Sequence, residues 1–470
     1  MRLLILFALF QAPPPAPAVI TNTTVIDVAS GRLEPGRTVL IRDGRIVEVA
    51  PAGAKAPAGT PVVDGTGKFL IPGLWDMHVH AAFPGLDQLF LPLLVANGVT
   101  GARDMSVTPI SQLDSARARI GRGTMVGPRL IGSGNLVDGV PPIWPGSRSV
   151  RTPEDARQAV DSLAGAGAGF IKVYSRLSPE AYRAIAAEAK RVGITFAGHV
   201  PTLVSAAEAS DLGQRTIEHL TNLATACSSE EAALLAEVAA VVSDSARGWN
   251  AAGPVQLRQV PRIQQTYDPA RCRELAQRFI RNDTWIVPTM VVLRSVSHLD
   301  DTTLASDPRL VYIPSNMSRG WNPRADFRFR SFTPEIWAVR KTVYARQREI
   351  ITLLRSENVR FLAGTDLANP FIFPGFSLHD ELGLMVEAGF TPLQALQAAT
   401  VEPARFLGAA DSMGTVAPGK VADLVLLDAN PLADIRNIAR VHAVIAAGRL
   451  YRRPALDSLL AEGRRRAGRQ

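Results

Sequence analysis

The chain has 470 residues, 47% hydrophobic and 20% charged, which allows a large core and excludes disorder throughout. Its formal charge of +8 comes almost entirely from arginine, since six of the 51 basic residues are lysines. No helix-turn-helix, zinc-finger or RNA-binding signature accompanies that charge, so nucleic acid is not indicated; arginine is simply the preferred cation, with an anionic or zwitterionic substrate as the alternative.

Met1-Arg2, the apolar run from Leu3 to Phe10 and the exit Ala16-Pro17-Ala18 read as a short secretory leader over 1–18, too short to span a bilayer. This predicts a periplasmic or secreted protein; a plain apolar leader on a cytoplasmic one is the alternative. Over 19–72, β-rich runs (Val19-Ile20, Thr24 to Val28, Thr38 to Ile41, Arg45 to Val49) alternate with Asp43-Gly44 and Asp64-Gly65, as hairpins require.

The middle, 73–410, alternates strands with helices. Eight strand candidates are Phe69–Leu74, Val99–Asp104, Arg129–Gly132, Phe170–Tyr174, Thr195–His199, Thr216–His219, Trp285–Leu293 and Arg360–Thr365. Ser178-Pro179 opens a helix that Gly193 closes, Thr391-Pro392 opens another ending near Ala399, and Ile336 to Leu354 has helical periodicity. Long insertions follow the sixth strand (224–281) and the seventh (to Glu357). Eight β/α units predict an α/β fold, a distorted (β/α)8 TIM barrel whose strand C-termini converge on one mouth. Over 411–455 the β texture returns (Asp423 to Leu427, Val441 to Ile445), so both termini are expected to build one small β-sandwich. Residues 456–470, with Arg464-Arg465-Arg466, read as a solvated, frayed basic tail.

Chemistry concentrates in a few places. In Pro72-Gly73-Leu74-Trp75-Asp76-Met77-His78-Val79-His80, strand periodicity turns His78 and His80 to one side. Imidazoles suit zinc, although a pair of core histidines is the plain alternative. The chain has seven histidines, and His199 and His219 also end strand candidates, twenty residues apart. Asp366 ends the eighth. Lys172 sits in the apolar strand Phe170-Ile171-Lys172-Val173-Tyr174, where a charged amine is expensive and its pKa falls. A neutral amine can take up CO₂ to give a carbamate able to bridge two cations; an ion-paired or snorkelling lysine is the alternative. Tyr174 and Arg176 stand at that strand's exit, fit to hold a substrate carboxylate or oxyanion, or to be ordinary loop residues. His379 is expected behind the ligands or facing substrate, or else as a plain helix N-terminal histidine. His298 and His442 read as structural. Cys227 and Cys272 form a disulfide or remain buried thiols.

In order, P-G-L-W-D-M-H-V-H, G-V-T-G-A-R-D-M, F-I-K-V-Y, A-G-H-V-P, I-E-H-L, L-A-G-T-D and G-T-V-A-P-G-K-V-A-D-L-V-L-L-D resemble the amidohydrolase superfamily, close to its imidazolonepropionase-like and Xaa-Pro dipeptidase (prolidase-like) branch, from about residue 19 to 450. The resemblance implies two divalent ions, zinc foremost. His78, His80 and Asp366 would hold one, His199 and His219 the other, and Lys172, as N6-carboxylysine, would bridge them. A hydroxide between the ions would attack an amide, cyclic amide or dipeptide C–N bond, with Asp366 moving the proton. Several relatives carry a substrate-contacting histidine after the third strand; Asn135 to Pro142 has none, so the substrate stays open. Alternatives are a phosphotriesterase-like or lactonase-like esterase on the same site, and a silent relative kept for binding. The expected partner is a small molecule, with no membrane span and a homo-oligomer left open.

Overall fold

The computed structural model describes residues 16–54, 58–243 and 248–469. The leader therefore falls mostly outside the described residues. Strands β1 (Ala18–Asp27), β2 (Arg32–Arg42), β3 (Arg45–Pro51), β4 (Val62–Asp64) and β5 (Phe69–Pro72) come first. Asp43 and Gly44, both in the left-handed region (φ 52° and 71°), make the two-residue turn between β2 and β3.

A parallel set follows: β6 (Leu74–Val79), β7 (Val99–Asp104) and β8 (Arg129–Gly132) in one sheet, then β9 (Val137–Asp138), β10 (Arg148–Ser149), β11 (Ile171–Val173), β12 (Phe196–Gly198), β13 (Thr216–Glu218) and β14 (Trp285–Val287) in a second, ordered β10-β9-β11-β12-β13-β14. Helices separate most of these strands, giving a mixed α/β fold. Helix Pro179–Val192 carries the expected signals: Ser178 caps it by accepting from the Ala181 N–H, and Gly193 ends it at φ 75°.

The chain then returns to the first sheet with β15 (Leu424–Leu427), β16 (Val441–Ala446) and β17 (Arg449–Arg452). Both termini thus share one eight-stranded sheet, β17-β16-β15-β5-β1-β2-β3, with β4 beside β1. Alternation makes it two-sided. Leu70, Leu424, Leu426 and Ile445 join Ile20, Val39 and Ile46 in a separate apolar cluster. Ile26, Ile71, Val425, Leu427 and Val444 face the main core.

Four expectations need correction. The Phe69–Leu74 strand is split. Phe69–Pro72 pairs with β15 and β1, and the strand carrying the histidines starts at Leu74. Gly73 makes the crossing, because a Cβ there would lie 1.9 Å from Thr100 Oγ1. The seventh strand ends at Val287; Thr289 turns the chain at φ 49°, and Met290–Ser297 is helical. Arg360–Thr365 forms no ladder. It lies between β14 and β6, held by single parallel bridges Ile286↔Phe361 and Val79↔Leu367 and by the bonds Leu362 N to Ile286 O (2.9 Å) and Met77 N to Ala363 O (2.8 Å). The C-terminal tail is not frayed: Arg453–Ala467 is a helix with Leu456, Gly463 and Ala467 buried, and Gly463 lets it close on Leu93.

The 224–281 insertion is helical (Glu231–Ser243, Ala252–Gln265, Pro269–Arg281). A disulfide between buried Cys227 and Cys272 ties its ends. No described helix is long and apolar enough to cross a membrane.

Candidate active site

The site is assembled at the C-terminal ends of the parallel strands. His78 lies within β6 and His80 one residue past it, Lys172 within β11, and His199 and His219 directly after β12 and β13. Asp366 follows the irregular 360–365 segment. Two motif glycines are imposed by packing. A Cβ on Gly198 would lie 2.2 Å from the Val173 carbonyl oxygen and 3.1 Å from Lys172 Cδ; one on Gly364 would lie 2.9 Å from His78 Cβ. His219 and Asp366 themselves have left-handed backbones (φ 58° and 60°), as does Thr289, a conformation costing about 1–3 kcal/mol for side-chain-bearing residues.

Asp366 is the hub. Its Oδ1 lies 3.1 Å from His80 Nε2 and 3.4 Å from His78 Nε2, and its Oδ2 3.8 Å from His219 Nε2. The His219 ring centre is 5.0 Å from that of His199. His199 in turn lies 4.0 Å, centre to centre, from the Tyr174 ring, which Lys172 Nζ approaches to 5.7 Å.

Behind this layer the imidazoles are oriented through Nδ1. His78 Nδ1 is 2.7 Å from Glu218 Oε2, His199 Nδ1 2.8 Å from Ser175 Oγ, and His219 Nδ1 2.7 Å from Thr289 Oγ1. The Thr289 hydroxyl donates to the Pro288 carbonyl, so it accepts from His219. A carboxylate can only accept, so His78 carries its proton on Nδ1 and a lone pair on Nε2. That Nε2 is buried, has no hydrogen-bond partner, and faces a carboxylate oxygen. Two acceptors turned toward each other in a buried site fit a cation, and His78, His219 and Asp366 offer donor atoms all within 4.8 Å of one another.

Burial pushes His78 and His199 well below the usual imidazole range, reinforced by the Lys172 charge. Burial also takes His219 down to about 4 and Lys172 down to about 8, the latter against the pull of Glu218 and Asp366. For Asp366, burial works upward, but His219, His78 and His80 outweigh it and hold the carboxyl well below the usual range.

These groups open into a cavity of about 350 Å³, bordered also by Phe83, Trp144, Arg328 and Asn369. Tyr174 borders it too, its hydroxyl oxygen accepting a 2.8 Å bond from Trp144 Nε1. Arg176 does not: its guanidinium donates to the Pro141 carbonyl (2.9 Å) and its backbone N–H to Asp138 (2.7 Å), so the rim loop holds it. His379 is likewise outside, half-buried on helix Phe376–Glu387 with Nε2 2.9 Å from the Asn97 carbonyl. Its neighbour Glu381 binds the Met290 and Val291 N–H groups at the start of the helix after β14. His298 and His442 sit elsewhere, against the Arg294 carbonyl and Asp428.

Sequence reading missed Glu218 and Arg103, a fully buried ion pair (2.8 Å) behind His78, and Asp76, which accepts from Thr365 and the His78 N–H. An acidic residue in the apolar run Ile217-Glu218-His219 was the available signal. Trp144 and Arg328 lie in loops with no motif.

Residues 293–451 match the amidohydrolase family model. A structure of a Bifidobacterium longum protein provisionally assigned as a prolidase is 26% identical, covers 96% of this chain and 100% of its own, and superposes with a TM-score of 0.66. The chain is thus similar to the amidohydrolases, through the family model over 293–451 and through the overall fold over nearly its whole length. The dihydroorotase of Pelotomaculum thermopropionicum is 27% identical over 87% of this chain and 88% of its own length. That of Citrifermentans bemidjiense is 44% identical over 69 residues, 15% of this chain, so the chain spans only 16% of that relative. The bottromycin amidohydrolase structure is 24% identical, with a TM-score of 0.73 over 97% of this chain and 91% of its own.

Proposed function

We propose that this chain is an amidohydrolase, a two-metal enzyme cutting the C–N bond of a small amide, cyclic amide or dipeptide. His78, His80 and Asp366 would hold one divalent ion and His199 and His219 a second, and Lys172, as N6-carboxylysine, would serve both. The observation carrying this reading is the buried, partnerless His78 Nε2 facing Asp366, with His78 and His219 protonated on Nδ1 toward Glu218 and Thr289 so that Nε2 is left to ligate. When bound, the ions, taken as zinc, supply Lewis acidity and an activated water at neutral pH.

The chain's own groups do the rest. Asp366 takes the proton of the attacking water on a carboxylate oxygen and returns it to the leaving nitrogen. The Tyr174 hydroxyl, whose oxygen accepts from Trp144, keeps its own proton for a substrate oxygen; burial, which raises its pKa, holds it in that form. The cavity closes over the scissile bond with Phe83 and Trp144 as apolar walls.

The same reading takes the eight parallel segments over 73–410 as a closed (β/α)8 barrel, with 360–365 as the irregular eighth, supported by its bonds to β14 and β6. The flanks 19–72 and 411–455 form the accompanying β-sandwich. The Cys227–Cys272 disulfide supports a periplasmic or secreted location.

Zinc- or cobalt-loaded protein assayed across N-acyl amino acids, dipeptides and cyclic amides, with metal counting on the same sample, tests the proposal. Two ions per chain and turnover of at least one of these amides are expected. A metal-loaded protein that leaves all of them intact, or Lys172→Ala retaining two ions and full activity, refutes it.

A further inference from the structure

The cavity carries more cationic charge than the proposed chemistry uses. Lys172 is assigned to the metal bridge and Arg176 is turned to the rim, which leaves Arg328 as the guanidinium bordering the cavity. It comes from the long segment after β14, between helices Ser315–Gly320 and Pro334–Ser356.

Its position is fixed from three sides. Nε and Nη2 donate to the Asp326 carboxylate (3.1 and 2.7 Å), and Nη1 donates to Asn369 Oδ1 (3.0 Å). The guanidinium carbon lies 5.5 Å from the centre of the Trp144 ring. Asn369 also donates from Nδ2 to the backbone carbonyl of Asp366 (3.1 Å), so Arg328 is registered to the loop that carries the hub carboxylate. Of the five guanidinium N–H groups, three are engaged; one on each Nη remains free for a ligand.

The local charge is unbalanced. Arg340, on the adjoining helix, forms no ion pair among the described residues, and its buried Nε has no hydrogen-bond partner. Burial and the Arg328 charge both lower its pKa. Asp326 balances Arg328, while the neighbouring Arg340 has no carboxylate partner among the described residues, so the pair carries an excess positive charge that an incoming anion offsets.

We propose that Arg328 is the specificity-determining residue of this site, its free Nη donors receiving a carboxylate on the substrate while the scissile bond lies at Asp366. The substrate class is an N-acyl amino acid or dipeptide with a free α-carboxylate, its side chain against Trp144 and Phe83. This rests on the hydrolase reading above and narrows it: a neutral cyclic amide would leave Arg328 without a partner. Guanidinium pairs with carboxylate through two parallel bonds, and a carboxamide in the same place supplies neither the charge nor two acceptors.

The test uses the metal-loaded full chain with N-acetyl-L-amino acids and the matching N-acetyl-L-amino acid amides. Wild type is expected to prefer the acids by on the order of 100-fold in kcat/KM, mostly through KM. Arg328→Gln should reduce that preference to within a few-fold, and Arg328→Lys should restore part of it. Equal turnover of acid and amide by wild type overturns the proposal without any variant, as does a preference that survives in Arg328→Gln. Calorimetry with free L-phenylalanine and L-phenylalaninamide separates the two readings. Binding of the acid that Arg328→Gln abolishes, without turnover of any probe, keeps the assignment of Arg328 and sinks the hydrolase reading. Equal or absent binding of both compounds to wild type sinks the assignment.

Discussion

Replacing Glu218 by Gln changes one oxygen to an NH₂ group and tests the tautomer argument at its root. Glu218 is fully buried; one oxygen accepts from Arg103 (2.8 Å) and Thr216, the other from His78 Nδ1 (2.7 Å). Gln can keep the Arg103 bond with its remaining oxygen, but it then presents donors to Nδ1. His78 must move its proton to Nε2, the atom aimed at Asp366, and a protonated nitrogen cannot ligate. Losing the partner that orients a metal-binding imidazole typically costs 10- to 100-fold in affinity, about 1.4 to 2.7 kcal/mol. The substitution also strips a buried guanidinium of its counter-charge, which costs about 3 kcal/mol, the lower end of the range because one hydrogen bond survives. Zinc affinity is measured by competition with a chelator, and stability by urea unfolding of metal-free protein. Loss of stability with unchanged zinc affinity would refute the tautomer reasoning while leaving the ion pair intact as a structural element.

Three further outcomes are expected. Reducing the Cys227–Cys272 bond, or Cys227→Ser with Cys272→Ser, should lower stability by about 2–4 kcal/mol, because the bond closes a loop with a sequence separation of 45; urea unfolding with and without reductant checks this. Burial raises the Glu381 carboxyl from 4.5 to about 8, outweighing the Val291 and Met290 N–H bonds that favour its charged form. The folded state therefore keeps a proton that the unfolded chain releases, so stability should fall by roughly 3–5 kcal/mol as pH rises from 4.5 to 8 and then level off. Glu381→Gln should flatten that slope in urea unfolding at pH 5, 6.5 and 8. Gly463→Val should cost about 1–3 kcal/mol, since even a Cβ would meet Leu93 Cδ2 at 2.6 Å; an unchanged unfolding midpoint would mean the C-terminal helix does not hold the helix Asp87–Ala96.

The side chains that bring chemistry were legible because they stand at strand ends with period-two or fixed-motif spacing: His78 with His80, then Lys172, His199, His219 and Asp366. The α/β alternation and the shared sheet of the two termini were legible for the same reason. What escaped depends on distance rather than pattern. Arg328 and Trp144 come from loops after different strands, and nothing local says that they meet. Glu218 was visible as a letter, but its role exists only through His78 and Arg103, 140 and 115 positions away. The eighth strand was over-read because Phe361-Leu362-Ala363 is apolar, whereas the segment is held only by single bridges and isolated bonds to its neighbours. The last helix was under-read because its arginines drew attention from Leu456, Leu460, Gly463 and Ala467, which recur at helical spacing.

The left-handed backbones at His219, Thr289 and Asp366 have a bearing on engineering. Glycine or asparagine would relax these positions, so a screen rewarding only thermal endurance would drift toward them and collect robust, inert proteins. Improvement that spares turnover has to be sought far from the mouth, in the cystine-tied insertion and the terminal sheet, where left-handed residues such as Asp43 and Ala447 carry no chemistry.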